Sequence, residues 1–251
     1  MNGLMHIPTI KNSMACRIVA VEGLNGVGKS SLICRYRQDH PDVPTGYAVP
    51  KCYLADRDRM TYMLFEATPA ASALYYLAGN ADFRRELEAS GAKRFLSDRS
   101  VWSTVAAAYA KDPSLLPELL DTVDALQDRL VIPDTVIVLR GSYETCLGRI
   151  AAKASGAEFD RDSETVFWRK YELYDLLRES GYDVRDIATD GKSREEVYAE
   201  FIAQDLWNEV IAKPRRCGHA GRTTLPVSPD MVGTRVPARP RWQGFSIGSN
   251  E

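Results

Sequence analysis

The chain has 251 residues, of which 45% are apolar, and a formal net charge of −2, values typical of a globular protein with a buried core. The small charge argues against general binding of nucleic acid or membrane surfaces, no apolar run approaches the about 18–20 residues of a membrane span, and the N-terminus lacks a signal-peptide pattern. The 5 cysteines and 3 histidines are scattered, which argues against a zinc site and indicates a reducing, cytoplasmic location.

Composition divides the chain into three zones. Residues 1–15 form a short polar segment that we predict to be a flexible leader, with Met1, Met5 or Met14 as the start. Residues 16–212 alternate apolar strands with amphipathic helices, which predicts one α/β domain. Residues 213–251 are rich in Pro, Gly and Arg and lack an apolar period, so we predict a disordered tail. A segment that folds over the active site or docks on a partner is the alternative for this tail.

The first strand of the domain, predicted over 18–21, leads into a glycine-rich loop and a helix predicted over 31–37. The loop matches G-x-x-x-x-G-K-[ST], a pattern in which glycines let backbone N–H groups converge on phosphate at a helix N-terminus. Lys29 would reach the β- and γ-phosphates of a nucleoside triphosphate, and the Ser30 hydroxyl would ligand Mg²⁺. The predicted nucleotide-binding residues are Gly23, Leu24, Asn25, Gly26, Val27, Gly28, Lys29, Ser30 and Ser31.

A second cluster follows the third strand. The pattern after the loop predicts a weak strand over 47–49, helices over 59–66 and 72–89, a strand over 93–97 and a helix over 101–110. Asp98 and Arg99 stand between that strand and that helix, where an acid can hold Mg²⁺ and an arginine can grip a phosphoryl oxygen. The alternative is a helix cap, in which Asp98 or Ser100 accepts hydrogen bonds from the first turn.

The rest of the domain repeats the alternation. We predict helices over 118–130, 143–153, 164–180 and 194–212, a buried strand over 135–139 and a last strand over 182–187. Such alternation produces parallel βαβ units, whose ligands bind at the carboxyl ends of the strands. Arg149, Lys153 and Arg161 form a third cluster, which can neutralise a transferring phosphoryl group after a lid closes. The alternative for this cluster is a solvated, charged helix end.

The three clusters together resemble the thymidylate kinase superfamily over residues 16–212. The segments that carry the resemblance are 22–30, 98–100, 133–139 and the lid from Arg149 to Arg161. The deoxyribonucleoside kinases, a neighbouring branch, are similar too, because 99–103 resembles their E-R-S-V-Y-S motif. The resemblance implies a three-layer P-loop kinase fold, with a parallel sheet of about five strands, helices on both faces and a short lid. It also implies ATP- and Mg²⁺-dependent kinase chemistry.

The sequence departs from both branches at the acceptor site. The segment after the second predicted strand contains neither the Arg-Glu-Pro-Gly-Gly of thymidylate kinases nor the Glu-Pro of nucleoside kinases. Asn25 stands where thymidylate kinases often have an acid, and their Asp-Arg pair corresponds to Gly79 and Asn80. Tyr75 or Tyr76 would stack on the acceptor base, with core packing as the alternative. The acceptor-binding residues that the resemblance implies are Arg99, Tyr75, Tyr76 and Asn80.

These departures favour a nucleoside monophosphate, similar to dTMP, as the acceptor. A monophosphate mainly needs cationic clamps, whereas a hydroxyl acceptor needs a base, for which only Asp56 and Glu66 are conceivable after the second strand. The predicted catalytic residues are Lys29, Asp98, Arg99, Arg149 and Arg161, with Ser30 and Asp98 on the metal.

Three alternatives stay open. The first is a deoxynucleoside kinase that acts on a 5′-hydroxyl. The other two are a regulatory NTPase and a nucleotide-binding interaction module, although the N/T-K-x-D motif of GTPases is missing. We expect a small-molecule acceptor and no nucleic acid or membrane partner, and a homodimer is possible.

Overall fold

A parallel sheet of five strands organises the residues that the computed structural model describes, which are 7–152 and 163–207. The order across the sheet is β2-β3-β1-β4-β5, and all neighbouring strands pair in parallel. This order places β1 in the centre, with β3 on one side and β4 on the other. The strands are β1 (Arg17–Gly23), β2 (Thr45–Gly46), β3 (Arg94–Asp98), β4 (Thr135–Arg140) and β5 (Val184–Ala188).

The two central strands are buried on both faces because helices cover both faces of a parallel sheet. Every residue of β1 except Arg17 is buried, and so is every residue of β4 except Arg140. Helices α4, α5 and α8 pack together as one group, whereas α1 packs with α9. The helices are α1 (Lys29–Asp39), α2 (Lys51–Ala55), α3 (Arg57–Thr61), α4 (Pro69–Ser90), α5 (Val101–Lys111), α6 (Leu116–Ala125), α7 (Tyr143–Ala151), α8 (Glu164–Glu179) and α9 (Arg194–Ile202), with a π-helical turn at Tyr62–Glu66 and a 3₁₀ turn at Pro113–Leu115.

The predicted elements of the central sheet are confirmed, and four outer predictions are wrong in their bounds. The second strand is Thr45–Gly46 rather than 47–49. The helix predicted over 59–66 is divided into α3 and the π-helical turn, and Asp56 caps α3 by accepting from the Arg59 backbone N–H at 3.0 Å. Helix α6 ends at Ala125 instead of 130, because the chain turns at 126–130. Helix α9 ends at Ile202, and Asp205 has a left-handed φ of 50°.

Residues 7–15, part of the predicted leader, lie against the domain. Ile7 and Ile10 are buried, and the Ile10 backbone N–H donates to the Tyr182 hydroxyl at 2.8 Å. That hydroxyl in turn donates to the Pro8 carbonyl at 2.7 Å. The Asn12 side-chain amide donates to a carboxylate oxygen of Asp134 at 2.8 Å, just before β4. The remaining leader residues and the predicted tail over 213–251 lie outside the described residues.

Candidate nucleotide and acceptor site

The phosphate loop joins the end of β1 to the start of α1, and glycine is required at two of its positions. Gly23 and Gly26 have φ angles of 124° and 81°. A Cβ on Gly23 would lie 2.5 Å from the Leu139 carbonyl oxygen, and one on Gly26 would lie 2.4 Å from the Cys146 carbonyl oxygen. Any side chain would therefore push the loop away from β4 and α7. The loop lies at the carboxyl edge of the sheet, as the motif predicts.

Helix α1 begins in this loop without a side-chain cap. Its N-cap residue, Gly28, has a φ of 114° and no side chain that can accept from the first turn. Helices α4, α5, α7, α8 and α9, by contrast, each have a Ser or Thr cap that does so. The uncapped first turn of α1 leaves backbone donors and the positive end of the helix dipole to an anion. The start of α1 therefore offers backbone donors that an anion such as phosphate can use.

Lys29 is buried beneath the loop. Its Nζ donates to the carbonyl oxygens of Gly23 at 2.7 Å and Leu24 at 2.8 Å. Burial lowers the pKa of this ammonium well below its usual range and Arg99 lowers it further, whereas the carboxylates of Asp98 and Glu22 oppose the shift. The ammonium is thus already desolvated and held by dipoles, so it can turn to a phosphate without losing a water shell.

Asp98 and Arg99 occupy the end of β3, next to the phosphate loop. Asp98 pairs in register with Val21 of β1, and only 8% of its surface is exposed. Its Oδ1 atom has no hydrogen-bond partner among the described residues, and burial raises its pKa. Arg99 has a left-handed φ of 73°, which is uncommon for a residue other than glycine. Its guanidinium donates to the Asn25 side-chain oxygen, across to the phosphate loop.

Sequence reasoning missed Glu22, which lies behind this pair. Its carboxylate is fully buried and accepts from three hydroxyls: Ser100 at 2.6 Å, Tyr174 at 3.0 Å, and Ser103. Burial raises its pKa, and the three hydroxyls and Arg99 oppose that shift. An acid at the end of an apolar strand, directly before Gly23, is the sequence signal that points to a buried polar site.

A cavity of about 480 Å³ opens beside Asp98 and Arg99. Helix α5 contributes six lining residues, and the spacing of four of them, Thr104, Ala107, Ala108 and Lys111, places these four on one face of the helix. Tyr76 of α4 also lines the cavity. The other lining residues are Asn25, Tyr47, Ala48, Val49, Leu54, Met60, Leu64, Pro69, Ser72, Ala73, Asn80, Asp98, Arg99, Ser100, Val101, Ser103 and Lys170.

The predicted acceptor residues have different positions relative to this cavity. Arg99 and Tyr76 line it, whereas Tyr75 does not, and the Tyr75 hydroxyl donates to the Tyr53 carbonyl at 3.1 Å. Asn80 lines the cavity, but both ends of its amide contact backbone. Its Nδ2 donates to the Ala48 carbonyl at 3.0 Å, and its Oδ1 accepts from Val131 at 2.7 Å. Asn80 therefore shapes the wall through its backbone contacts.

Of the three cationic residues in the predicted lid cluster, Arg149 is the one that lies within the described residues. Arg149 donates to the Val27 carbonyl at 3.2 Å and to the Thr189 carbonyl at 3.2 Å, which places its guanidinium against the phosphate loop. Lys153 and Arg161 lie outside the described residues. Asp56 and Glu66, the acids after β2, do not line the cavity.

Residues 7–152 and 163–207 contain no group of three or more His, Cys, Asp or Glu side chains that could hold a metal ion. No helix in these ranges is both long enough and apolar enough to span a bilayer.

Comparison with family models and with curated proteins gives no match. Solved structures do match. Deoxyadenosine kinase from M. mycoides with bound dATP has a TM-score of 0.57 at 16% identity, over 74% of this chain and 98% of that one. The same enzyme with bound dCTP has a TM-score of 0.54 at 15% identity, over 74% and 97% of the two chains. The same enzyme with the products dCMP and dCDP bound has a TM-score of 0.53 at 18% identity, over 75% of this chain and 98% of that one. The chain thus has a P-loop kinase fold.

Proposed function

We propose that this chain transfers the γ-phosphoryl group of ATP to the 5′-hydroxyl of a deoxynucleoside. The observation that carries the proposal is Asp98, a buried carboxylate with an unpartnered oxygen among the described residues. It lies where the acceptor cavity meets the phosphate loop. The fold shared with deoxyadenosine kinase supports the same reaction class.

The charge of the cavity favours a hydroxyl acceptor. A hydroxyl loses its proton as its oxygen bonds to phosphorus, so a nearby carboxylate assists the transfer. Asp98 is the only carboxylate among the described lining residues, and its raised pKa makes it a stronger proton acceptor. Asp56, an earlier candidate for this role, instead caps α3. Asp98 is therefore our candidate for the group that takes the proton.

A monophosphate acceptor, which the sequence favoured, is less well matched. The two negative charges of a monophosphate require cations near the transferring group. The carboxylate of Asp98 lies there instead and would repel the monophosphate. Arg99 is the one arginine among the described lining residues. Lys111 is the last residue of α5, and Lys170 adjoins Arg169, whose side chain donates to a carbonyl near the same helix end. Lys111 thus lies at the end of α5 that is remote from the phosphate loop, and Lys170, which belongs to α8, adjoins a residue that contacts that end.

The nucleotide side requires Mg²⁺, and the residues present fit this ion. Ser30 offers a hydroxyl at the start of α1, and Asp98 can hold the ion through a water of its shell, which leaves the unpartnered carboxylate oxygen to take the proton. Hard oxygen ligands of this kind suit Mg²⁺ when nucleotide phosphates complete its shell. The ion would neutralise charge on the β- and γ-phosphates when bound.

Residues of this chain bind the phosphates, neutralise their charge and orient the acceptor. Lys29 stabilises the terminal phosphates from below, and the uncapped start of α1 binds their oxygens. Arg149 contacts the same loop from α7. We propose Arg161 as a further cation that closes over the transferring group from the lid. Arg99 and Asn25 orient the acceptor, and Tyr76 supplies an aromatic wall for its base.

An acceptor panel tests this function. The chain is incubated with ATP, Mg²⁺ and one acceptor at a time, taken from the four deoxynucleosides and their 5′-monophosphates, and the products are separated by chromatography. We expect at least one deoxynucleoside to yield its monophosphate. Turnover confined to thymidine monophosphate would contradict the proposal, and ATP hydrolysis that ignores every acceptor would indicate a regulatory NTPase. The Lys29→Met variant, prepared identically, measures contaminating kinase activity.

A further inference from the structure

Glu22 is a buried carboxylate that the proposed reaction does not use. None of its surface is exposed, and it lies in the buried part of β1 directly before Gly23, where the phosphate loop begins. A buried carboxylate is costly unless hydrogen bonds compensate it, and here three hydroxyls donate to its two oxygens. Such a group at the centre of a fold indicates either a structural requirement or a positioning role.

The three hydroxyls come from two helices that reach the site from different directions. Ser100 and Ser103 belong to the start of α5, and Tyr174 belongs to α8, the helix that follows the lid. Ser100 also caps α5, because its hydroxyl oxygen accepts from the Trp102 backbone N–H at 3.1 Å. Glu22 therefore fixes α5 to β1 and to α8 through a single carboxylate.

Arg99 is the residue that this arrangement controls. It directly precedes Ser100, and its left-handed φ of 73° leaves it few alternative conformations once Ser100 is held. Its backbone N–H donates to the Val21 carbonyl at 3.1 Å, next to Glu22 in β1. The backbone of Arg99 is thus held on one side by strand β1 and on the other by Ser100, the cap of α5. The direction of its guanidinium in the acceptor cavity depends on both.

We propose that Glu22 is a positioning residue that, through Ser100, holds Arg99 toward the acceptor. This inference rests on the proposed function, since it assigns Arg99 to that reaction. It concerns the acceptor rather than the nucleotide, because Lys29 and the uncapped end of α1 take their geometry from the loop carbonyls and glycines. Weakening the Glu22 contacts should therefore impair acceptor use while ATP binding persists.

The test substitutes Tyr174 rather than Glu22, because a substitution of Glu22 itself would also disturb the adjoining phosphate loop. Tyr174 does not line the cavity, and its hydroxyl is linked to the acceptor site through the Glu22 carboxylate and through Ser103, which shares that carboxylate. Tyr174→Phe removes that hydroxyl and keeps the ring. Tyr182→Phe is the control, since it removes a hydroxyl whose two hydrogen bonds, with Ile10 and Pro8, involve no residue that lines the cavity, and it keeps the ring that packs against Trp102.

We expect Tyr174→Phe to lower kcat/KM for the preferred deoxynucleoside about tenfold, because small misplacements of an orienting group have effects of this size. The Kd for MgATP, measured by calorimetry, should change less than about twofold. Tyr182→Phe should leave both values unchanged, and thermal unfolding would show whether each variant is folded.

The outcomes separate the two proposals. If wild type is active and both variants match it, or if Tyr174→Phe weakens ATP binding as much as acceptor use, the role of Glu22 is overturned and the function stands. If Tyr174→Phe does not fold, Ser100→Gly, which keeps the acceptor cavity open, replaces it with the same expectation. A wild-type chain that phosphorylates no acceptor would overturn both.

Discussion

The nucleotide cradle, which is the phosphate loop with the start of α1, adjoins the acceptor cavity at the carboxyl edge of the sheet. Backbone groups form the cradle, whereas side chains form the cavity. The cradle consists of backbone: glycines with positive φ, an uncapped helix end and two carbonyls that hold Lys29. The cavity consists of side chains from β3, α4, α5 and α8 and from the segments between β2 and α4. A backbone site is encoded within a few residues, whereas a side-chain cavity depends on elements that only the fold brings together. The predictions below test this division.

The largest effect is expected at Lys29. Lys29→Met keeps most of the side-chain volume but removes the ammonium that lies on the Gly23 and Leu24 carbonyls. We expect kcat to fall at least about 10³-fold, because the loss acts on charge that develops in the transition state. Steady-state kinetics measure this, with the exposed Lys93→Met as control. Activity within tenfold of wild type would remove Lys29 from the proposed mechanism.

Asp98 lies where the two regions meet, so its substitution should affect the chemical step. Asp98→Asn preserves shape and removes the charge, and we expect kcat to fall about 10²-fold, the usual range for a general base. The Kd for ATP without Mg²⁺ should hold or improve. Asp121→Asn, at an exposed site on α6, is the control. A fall in acceptor affinity alone, with kcat intact, would contradict the assigned role.

Gly26 tests the cradle alone. A Cβ there would meet the Cys146 carbonyl oxygen at 2.4 Å with a φ of 81°, so Gly26→Ala must displace the loop. We expect the Kd for MgATP to rise at least about tenfold, from strain of about 1–3 kcal/mol. Gly148→Ala is the matched control in α7, where the added methyl meets nothing within 4 Å. Calorimetry that finds equal ATP affinity in both variants would refute this account of the loop.

The smallest effect is expected at Asn25, which belongs to the cradle by sequence but to the acceptor side by contact. Asn25→Ala removes the oxygen that accepts from Arg99. We expect KM for the deoxynucleoside to rise about threefold to tenfold, the range of one typical protein hydrogen bond, with KM for ATP nearly unchanged. The reverse pattern would assign Asn25 to the nucleotide instead.

The sequence predicted the cradle well because its signals are local. The loop motif, the buried strand before it and the Asp98-Arg99 pair after β3 are each contiguous, and the sheet confirms the strands that carry them. The residues that line the acceptor cavity were harder to predict from the sequence. Nothing local shows that Tyr76 lines the cavity while Tyr75 contacts Tyr53 instead, because a one-residue step on a helix turns the side chain by about 100°.

Other features needed tertiary contacts that no local pattern contains. Helix α6 ends at Ala125 rather than at 130, because the chain turns over 126–130, and the N–H of Val131, just beyond the turn, donates to the Asn80 side chain, 51 residues away. Residues 7–15 looked like a polar leader, and yet Ile10 is buried against Tyr182. Glu22 was visible as an acid in an apolar strand, but its three hydroxyl partners come from α5 and α8.

The most direct test of the central claim is a competition between acceptor classes. The chain receives ATP, Mg²⁺ and an equimolar mixture of the four deoxynucleosides and their 5′-monophosphates, and ³¹P NMR follows the products. We predict ADP together with an equal amount of new phosphomonoester at a 5′-carbon, which Asp98→Asn slows about 10²-fold. Growth of deoxynucleoside diphosphate signals without loss of any deoxynucleoside would contradict the claim, and so would inorganic phosphate as the sole product.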